Sequence, residues 1–387
     1  MSEVKNFPIY LDYHSTTPVD PRVAEKVLYA MTGAFGNANS VDHAYGDEAA
    51  EAVKKARQQV AALIQASPKE VIFTSGATES INLVIQGYGI GQKQGSRILV
   101  SPVEHKAVLD CCEAMVKRGL TEIVWLKVNE QAQLDLEYLE QVCREGGDLL
   151  CVMAANNEVG TIYPMEKIGV IAHRHQIPWF CDASQGVGKI PIRFQDWGIT
   201  YLSVSGHKFY GPKGVGALVV RKGYSLPRLM YGGGQEEGMR SGTLNVPGIV
   251  GLGEACALRQ WEMMEDEKAI AQKRDKLQNL LLTHLPQLII NGDLNHRLAG
   301  NLHLSLPPIP NSAIMARVRH QLAISTGAAC SSGTPTPSHV LQGMKLPQKQ
   351  IDSALRISVG KFTTEAEIEA AAALLIQGVR QLATLMD

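Results

Sequence analysis

The residues best suited to chemistry stand immediately after short apolar runs. Lys208 lies in Ser203-Val-Ser-Gly-His-Lys-Phe-Tyr-Gly-Pro-Lys-Gly214, directly after a run that reads as a strand, between His207 and two aromatic residues. An isolated lysine is ordinarily a solvated surface group. Set among apolar and aromatic neighbours at the carboxyl edge of a sheet, its pKa can fall, and the free amine can form a Schiff base with a carbonyl. Asp182 follows the run Pro178-Trp-Phe-Cys181, with Gln185 three residues on. A carboxylate there would partner a protonated pyridine nitrogen, although an Asp capping the next helix would look the same.

Phe73-Thr-Ser-Gly-Ala-Thr-Glu79 runs from a strand through one glycine into a helix expected to begin near Ser80. Amides and a threonine hydroxyl at a helix N-terminus make an anion site. A helix capped by Ser75 or Thr78 accounts for the motif equally well. Neither nucleotide fingerprint fits: Gly87, Gly89 and Gly91 lack the third glycine at the required offset, and Gly188-Lys189 lacks both the P-loop glycine and the Ser or Thr that should follow. A phosphate loop, an Asp and a Lys on successive strands are together what pyridoxal phosphate needs.

His105, in Ser101-Pro-Val-Glu-His105, also follows a strand-like run, and a flat imidazole there could stack on a pyridine ring and move protons. Asn157, in Ala155-Asn-Asn-Glu-Val-Gly160, could bond a ring hydroxyl or be a plain turn asparagine. Cys330 sits in Ser325-Thr-Gly-Ala-Ala-Cys-Ser-Ser-Gly-Thr-Pro-Thr-Pro337, which has too few apolar side chains to pack and is expected to be exposed and mobile. An exposed cysteine is a candidate nucleophile. The other six cysteines read as small core residues or, for Cys111 and Cys112, as parts of a helix. Arg356, on a later strand, could fork onto a substrate carboxylate or simply face solvent.

The elements that must position these residues read as an α/β protein. Val71–Thr74, Arg97–Val100, Leu149–Met153, Pro178–Cys181, Tyr201–Val204 and Gly216–Val220 are nearly continuous in apolar character, which predicts strands of a parallel sheet covered on both faces. Asp47–Ala66 and Met165–His175 have helical spacing and would be covering helices. A long charge-laced helix from about Ala257 to Leu285 is expected to join two domains. Beyond it, strands at Asn301–Leu306 and Leu355–Val359 and a closing amphipathic helix from Thr364 predict a smaller α+β domain.

The length of 387 residues suits two or three domains, and 37 Lys+Arg against 38 Asp+Glu leave no basic stripe for nucleic acid. Seven scattered cysteines without a C-x-x-C pair disfavour a disulfide framework or a zinc site and favour a reducing compartment. The N-terminus has no apolar signal-peptide core, and no stretch reaches the ~20 apolar residues of a membrane span. A cytoplasmic location is therefore expected.

With these motifs in order, the chain resembles the pyridoxal-phosphate-dependent cysteine desulfurases of the nitrogen-fixation and iron–sulfur-cluster type. The resemblance runs nearly end to end, through Tyr10-Leu-Asp-Tyr-His-Ser-Thr-Thr-Pro18, Phe73–Ser80, Glu104-His-Lys106, Asn156-Asn-Glu-Val-Gly160, Asp182-Ala-Ser-Gln185, Ser205–Gly214, Gly232-Gly-Gly-Gln-Glu236, Met239-Arg-Ser-Gly-Thr243 and Ala329-Cys-Ser-Ser332. It implies the fold type I of pyridoxal-phosphate-dependent transferases, with a mostly parallel seven-stranded sheet in a large domain over residues 15–260. A small domain would comprise residues 1–14 and 261–387.

The resemblance further implies that Lys208 carries the cofactor, that Asp182 pairs with its ring nitrogen, and that His105 stacks on the ring. Gln185 and Asn157 would bond the ring oxygen. Ala77, Thr78, Ser205 and His207 would hold the phosphate, joined by Thr243 from the second subunit of a homodimer. Arg356, with Asn157, would bind the substrate carboxylate, and Cys330 would accept sulfur as a persulfide for an iron–sulfur scaffold or another acceptor protein. Two other readings use the same scaffold: a C–S lyase releasing pyruvate, and a cofactor-binding platform without activity.

Overall fold

The computed structural model describes residues 7–91, 95–327 and 337–385. Strand β1 (Ile9–Tyr10) and helices α1 (Pro21–Thr32) and α2 (Ala44–Ile64) lead into an alternation of strand and helix. This comprises β2 (Val71–Thr74), α3 (Ala77–Gly91), β3 (Ser96–Val100), α4 (Lys106–Lys117), β4 (Thr121–Trp125), α5 (Leu136–Arg144), β5 (Leu149–Cys151), α6 (Met165–Arg174) and β6 (Trp179–Asp182). With β7 (Tyr201–Ser205) and β8 (Gly216–Val220) the strands form a seven-stranded sheet of order β2-β8-β7-β6-β5-β3-β4. All its pairings are parallel except those of β8, which runs against both β7 and β2. No α-helix separates β7 from β8, so the chain cannot cross over and must return antiparallel.

The strand period of two sorts side chains onto two apolar faces. Val71, Phe73, Leu150, Leu202 and Val204 point into a core closed by α2, α5 and α6, whereas Ile72, Leu149, Phe180 and Tyr201 point into one closed by α3 and α4. The expected strands are present. The sequence reading does not contain β4, whose Glu122 and Trp125 are exposed at the sheet edge and break the continuous apolar pattern.

Helix α7 (Val246–His284) begins well before the expected Ala257. Its first turns hold Pro247 and three glycines, which look like helix breakers in the sequence. They are instead contact points: a Cβ on Gly251 would lie 2.6 Å from Val27 Cγ2, and one on Gly253 would lie 2.6 Å from Ala56 Cα. Glycine here lets α7 press against α1 and α2. The first half of α7 buries Ile249, Leu252 and Ala255 against the large sheet. Its second half buries Ile270, Leu277 and Leu281 in a separate core.

That second core gathers β9 (Ile289–Ile290), β10 (Asn301–Ser305), α8 (Asn311–Val318), β11 (Leu322–Ala323), β12 (Ala354–Ser358) and α11 (Glu365–Ala383) around it, whereas α9 (His339–Gly343) and α10 (Gln348–Asp352) bury Val340, Leu341 and Ile351 in the core of the large sheet. Strands β12, β10 and β9 pair antiparallel in that order, and β1 pairs with β11. Leu302, Leu304, Leu355 and Ile357 supply the apolar face. The alternate residues His303, Ser305, Arg356 and Ser358 are equally buried, so the second face of this small sheet is polar and covered.

Gly169 offers a test of packing against the large sheet. A Cβ at this position would lie 1.9 Å from the Trp197 carbonyl oxygen. Glycine-to-alanine inside a helix normally stabilises by up to ~1 kcal/mol. Gly169→Ala is expected to destabilise instead, by about 1–3 kcal/mol from overpacking, read as a lowered Tm. A raised Tm would show that α6 shifts freely.

Candidate active site

A cavity of about 530 Å³ opens beyond the carboxyl ends of the large sheet, where ligands of open α/β sheets bind. Ala77, Thr78, His105, Asn157, Asp182, Gln185, Ser205, His207, Lys208 and Arg356 all line it. Thr243 is exposed and does not line this cavity. Cys330, with Ala329, Ser331 and Ser332, lies outside the described residues, while Ser325 and Gly327 reach the cavity wall.

Helix α3 starts at Ala77, earlier than the expected Ser80. Neither Ser75 nor Thr78 caps it with a side chain; the Glu79 carboxylate instead accepts the Ser75 amide at 2.7 Å. Arg240 Nε holds the other oxygen of Glu79 at 2.9 Å. The amides of Ala77 and Thr78 have no intramolecular acceptor among the described residues and face the cavity end of the helix. Gly216 lets this end approach, since a Cβ there would lie 2.7 Å from Gly76 Cα. Together these features make an anion cradle.

Asp182 ends β6, and all the hydrogen bonds of its carboxylate among the described residues fall on one oxygen. Oδ1 accepts the Ser184 amide at 3.0 Å, the Ser184 hydroxyl at 2.6 Å and the Ser203 hydroxyl at 2.7 Å. Oδ2 is left for a cationic N–H. Gln185 donates to the His14 carbonyl at 2.8 Å and accepts from Lys189 Nζ at 2.6 Å.

Lys208 Nζ donates to the carbonyls of His14 at 2.9 Å and Ser15 at 2.7 Å. Burial, reinforced by the Arg356 charge and opposed by Asp182 and Asp12, lowers its pKa to about 8. Its amine is therefore far more available near neutral pH than that of a solvated lysine. His207 pairs with the Thr16 hydroxyl at 3.0 Å, and burial, with Lys208 nearby, pushes its pKa down to about 4. His105 caps α4 by accepting the Ala107 amide on Nδ1 at 3.1 Å. Burial lowers its pKa despite the Asp182 charge, which leaves a neutral ring protonated on Nε2.

Arg356 crosses from the small sheet into the cavity. Its guanidinium donates to Asp12 Oδ1 at 2.9 Å and to the Asn157 carbonyl at 3.1 Å. Its Nε is buried without a partner among the described residues. The sequence reading leaves out His14 and Ser15, whose backbone carbonyls hold Lys208. A carbonyl has no residue signature, and only the Tyr10–Pro18 motif marks the place.

These residues suit pyridoxal phosphate: an amide-lined helix end for a phosphate, a carboxylate with one oxygen to spare for a ring N–H, and a lysine of lowered pKa. A model of the class V aminotransferase family matches residues 9–371. The cysteine desulfurase IscS of Shewanella sp. strain MR-4 is 45% identical over 383 residues, spanning 97% of this chain and 93% of that protein. A solved NifS-like protein superposes with a TM-score of 0.89 at 35% identity, covering 97% of this chain and 100% of that one. The structure titled SspA in complex with cysteine gives a TM-score of 0.81 at 32% identity over 92% of this chain and 99% of that one. The architecture is fold type I of the pyridoxal-phosphate-dependent enzymes, and the chain belongs to the class V aminotransferase family, among its cysteine desulfurases.

Proposed function

We propose that the chain binds pyridoxal phosphate and converts L-cysteine to L-alanine, moving the sulfur atom onto Cys330 as a persulfide. The observation that carries this reading is the meeting of Lys208, Asp182, the start of α3 and Arg356 around one cavity. Pyridoxal phosphate supplies an electron sink for the bond broken at the substrate Cα. The chain's own residues do the rest. The α3 amides and the Ser205 and His207 side chains hold the phosphate, and Asp182 Oδ2 keeps a proton on the ring nitrogen. Asn157 and Gln185 orient the ring oxygen, and His105 covers the ring.

Arg356 takes the substrate carboxylate, since its guanidinium is already aligned by Asp12 and Asn157. Lys208, as a free amine, removes the Cα proton. The Cys330 thiolate then takes the sulfur: the substrate C–S bond breaks, an S–S bond forms, and Cβ gains a proton to leave alanine.

Thr243 is proposed to complete the phosphate site of a partner subunit in a homodimer. The proposed units are a large one over residues 15–260 and a small one over 1–14 and 261–387; Leu11 in the second core supports the N-terminal boundary, while Val340, Leu341 and Ile351 reach across into the first core. An acceptor protein such as an iron–sulfur scaffold would collect the persulfide sulfur. Among the described residues no helix is long and apolar enough to cross a membrane, which is compatible with the proposed cytoplasmic setting.

Product identity tests the reaction. Purified holoenzyme given L-cysteine and a reducing thiol is expected to release alanine and sulfide in equal amounts. Pyruvate and ammonia in place of alanine would make the protein a C–S lyase, and no product at all would favour a cofactor-binding platform.

A further inference from the structure

Gly188-Lys189 does not make a phosphate loop, yet the structure sets Lys189 just behind the cavity wall. Residues 183–189 turn on themselves: the Val187 amide donates to the Ala183 carbonyl at 2.8 Å, and the Lys189 amide to the Gly186 carbonyl at 3.0 Å. This brings residue 189 back beside residue 185. The turn is pinned from outside, because Arg259 Nε donates to the Gly188 carbonyl at 2.6 Å. Gln185 lines the cavity and Lys189 does not.

The Gln185 side-chain amide is held at both ends. Lys189 Nζ donates to its Oε1 at 2.6 Å, and its Nε2 donates to the His14 carbonyl at 2.8 Å. A lysine amine carries N–H groups in either protonation state and a carbonyl only accepts, so a flipped amide would set Oε1 against the His14 oxygen. Nε2 has two hydrogens; the His14 carbonyl takes one, and no acceptor among the described residues takes the other. The same carbonyl holds Lys208 Nζ at 2.9 Å, which places the spare N–H near the amine that would carry the cofactor. Glu267 and Arg259 from α7 stand around Lys189, with Lys208, Arg356, His14 and His207 on the cavity side. Burial lowers the Lys189 pKa and Glu267 opposes this, Glu267 being itself paired with Arg259 at 2.7 Å.

We infer that Lys189 is a positioning residue: by donating to Oε1 it turns the N–H end of Gln185 toward the cavity, as the donor for the ring oxygen of the bound cofactor. The inference rests on the proposed binding of pyridoxal phosphate. A donor fixed in advance loses less freedom on binding than one that must first be ordered, so the effect should be read in cofactor affinity. An N–H on the ring oxygen also favours its ionised form. Losing it should therefore raise the pH at which the visible band of covalently joined cofactor fades.

The test measures, on the holoenzyme, the cofactor Kd by dilution and the visible band through pH. It compares the wild type with Lys189→Met, Lys189→Gln, Gln185→Ala, Gln185→Glu and the Lys189→Met/Gln185→Ala pair. Methionine keeps the apolar stem of Lys189 and leaves Glu267 on Arg259, so the fold should survive. Lys189→Met is expected to raise the cofactor Kd roughly 3- to 10-fold and to move the midpoint of the band up by about one pH unit, as for one lost hydrogen bond. Lys189→Gln keeps a donor and should stay within about twofold of the wild-type Kd. In the Gln185→Ala background Lys189→Met should change neither quantity further, because it acts through that amide. Gln185→Glu keeps a partner for Lys189 but removes the N–H, so it should weaken cofactor binding at least as much as Gln185→Ala. That variant carries the test even if Lys189→Met folds poorly.

A Kd within about twofold of wild type with an unmoved midpoint in Lys189→Met would overturn the inference, whatever that variant does to Tm. So would a loss in the pair beyond that of Gln185→Ala, since Lys189 would then act elsewhere. Gln185→Glu holding cofactor as tightly as the wild type would overturn it too, by showing that no N–H is needed there. A wild type that takes up no pyridoxal phosphate would instead remove the functional reading beneath the inference.

Discussion

Lys208→Ala is expected to abolish desulfuration, with kcat falling by at least the 10²–10⁴-fold typical of a lost general base and further through loss of the covalent anchor. The argument is geometric before it is electrostatic. Lys208 Nζ is held by two backbone carbonyls, those of His14 and Ser15, at 2.9 and 2.7 Å, so it is aimed into the cavity by main chain. Of the two other lysines nearby, Lys189 has its amine committed to Gln185 at 2.6 Å, and Lys213 lies exposed on the cavity wall. The wild type should show the visible band of cofactor joined covalently to the protein, and the variant should lose it while still binding cofactor through α3 and Asp182. An unchanged band would assign the linkage to another amine. The lowered pKa of about 8 adds a pH signature. Reaction of the cofactor-free chain with an added aldehyde should accelerate as pH rises through about 8, where the Lys208 amine loses its proton.

Cys330→Ala is expected to be as severe for alanine release and silent in the cofactor spectrum. The reason lies in the other six cysteines, all of which are buried. Burial raises the thiols of Cys111 and Cys143 to about 12, and raises those of Cys151, Cys181 and Cys256 as well. A thiol that neither ionises nor meets solvent cannot take over sulfur. Alkylation of the native protein should therefore label Cys330 alone, and the Cys330→Ala protein should stay unlabelled. Alanine released at the wild-type rate by the variant would dismiss Cys330 as the acceptor.

Much of this site was legible because its side chains follow strands. A buried parallel strand is written as an apolar run, and the residue after it is delivered to the sheet's carboxyl edge; Lys208 and Asp182 were found in this way. Arg356 was legible only as an arginine on a strand. Its inward direction depends on β12 pairing with β10, which turns His303 and Arg356 to one face. The start of α7 was hidden because Gly251 and Gly253 serve contacts with distant helices, which no local window contains. Edge strand β4 was hidden because a half-exposed strand loses its apolar continuity. The hydrogen bond from Ser338 to Glu158 joins positions far apart in sequence, and it emerges only once the chain is folded.

Helix α7 runs unbroken through both apolar cores. Near its middle the buried Arg259 binds the Gly188 carbonyl at 2.6 Å and Glu267 at 2.7 Å, and Lys361 binds Glu262 at 2.6 Å. Such a strut resists jaw-like closure, because rotation of one lobe against the other would have to snap a continuous ladder and strip a buried guanidinium of its partners. Compliance during turnover is thereby pushed out of the frame and into the short connecting segments.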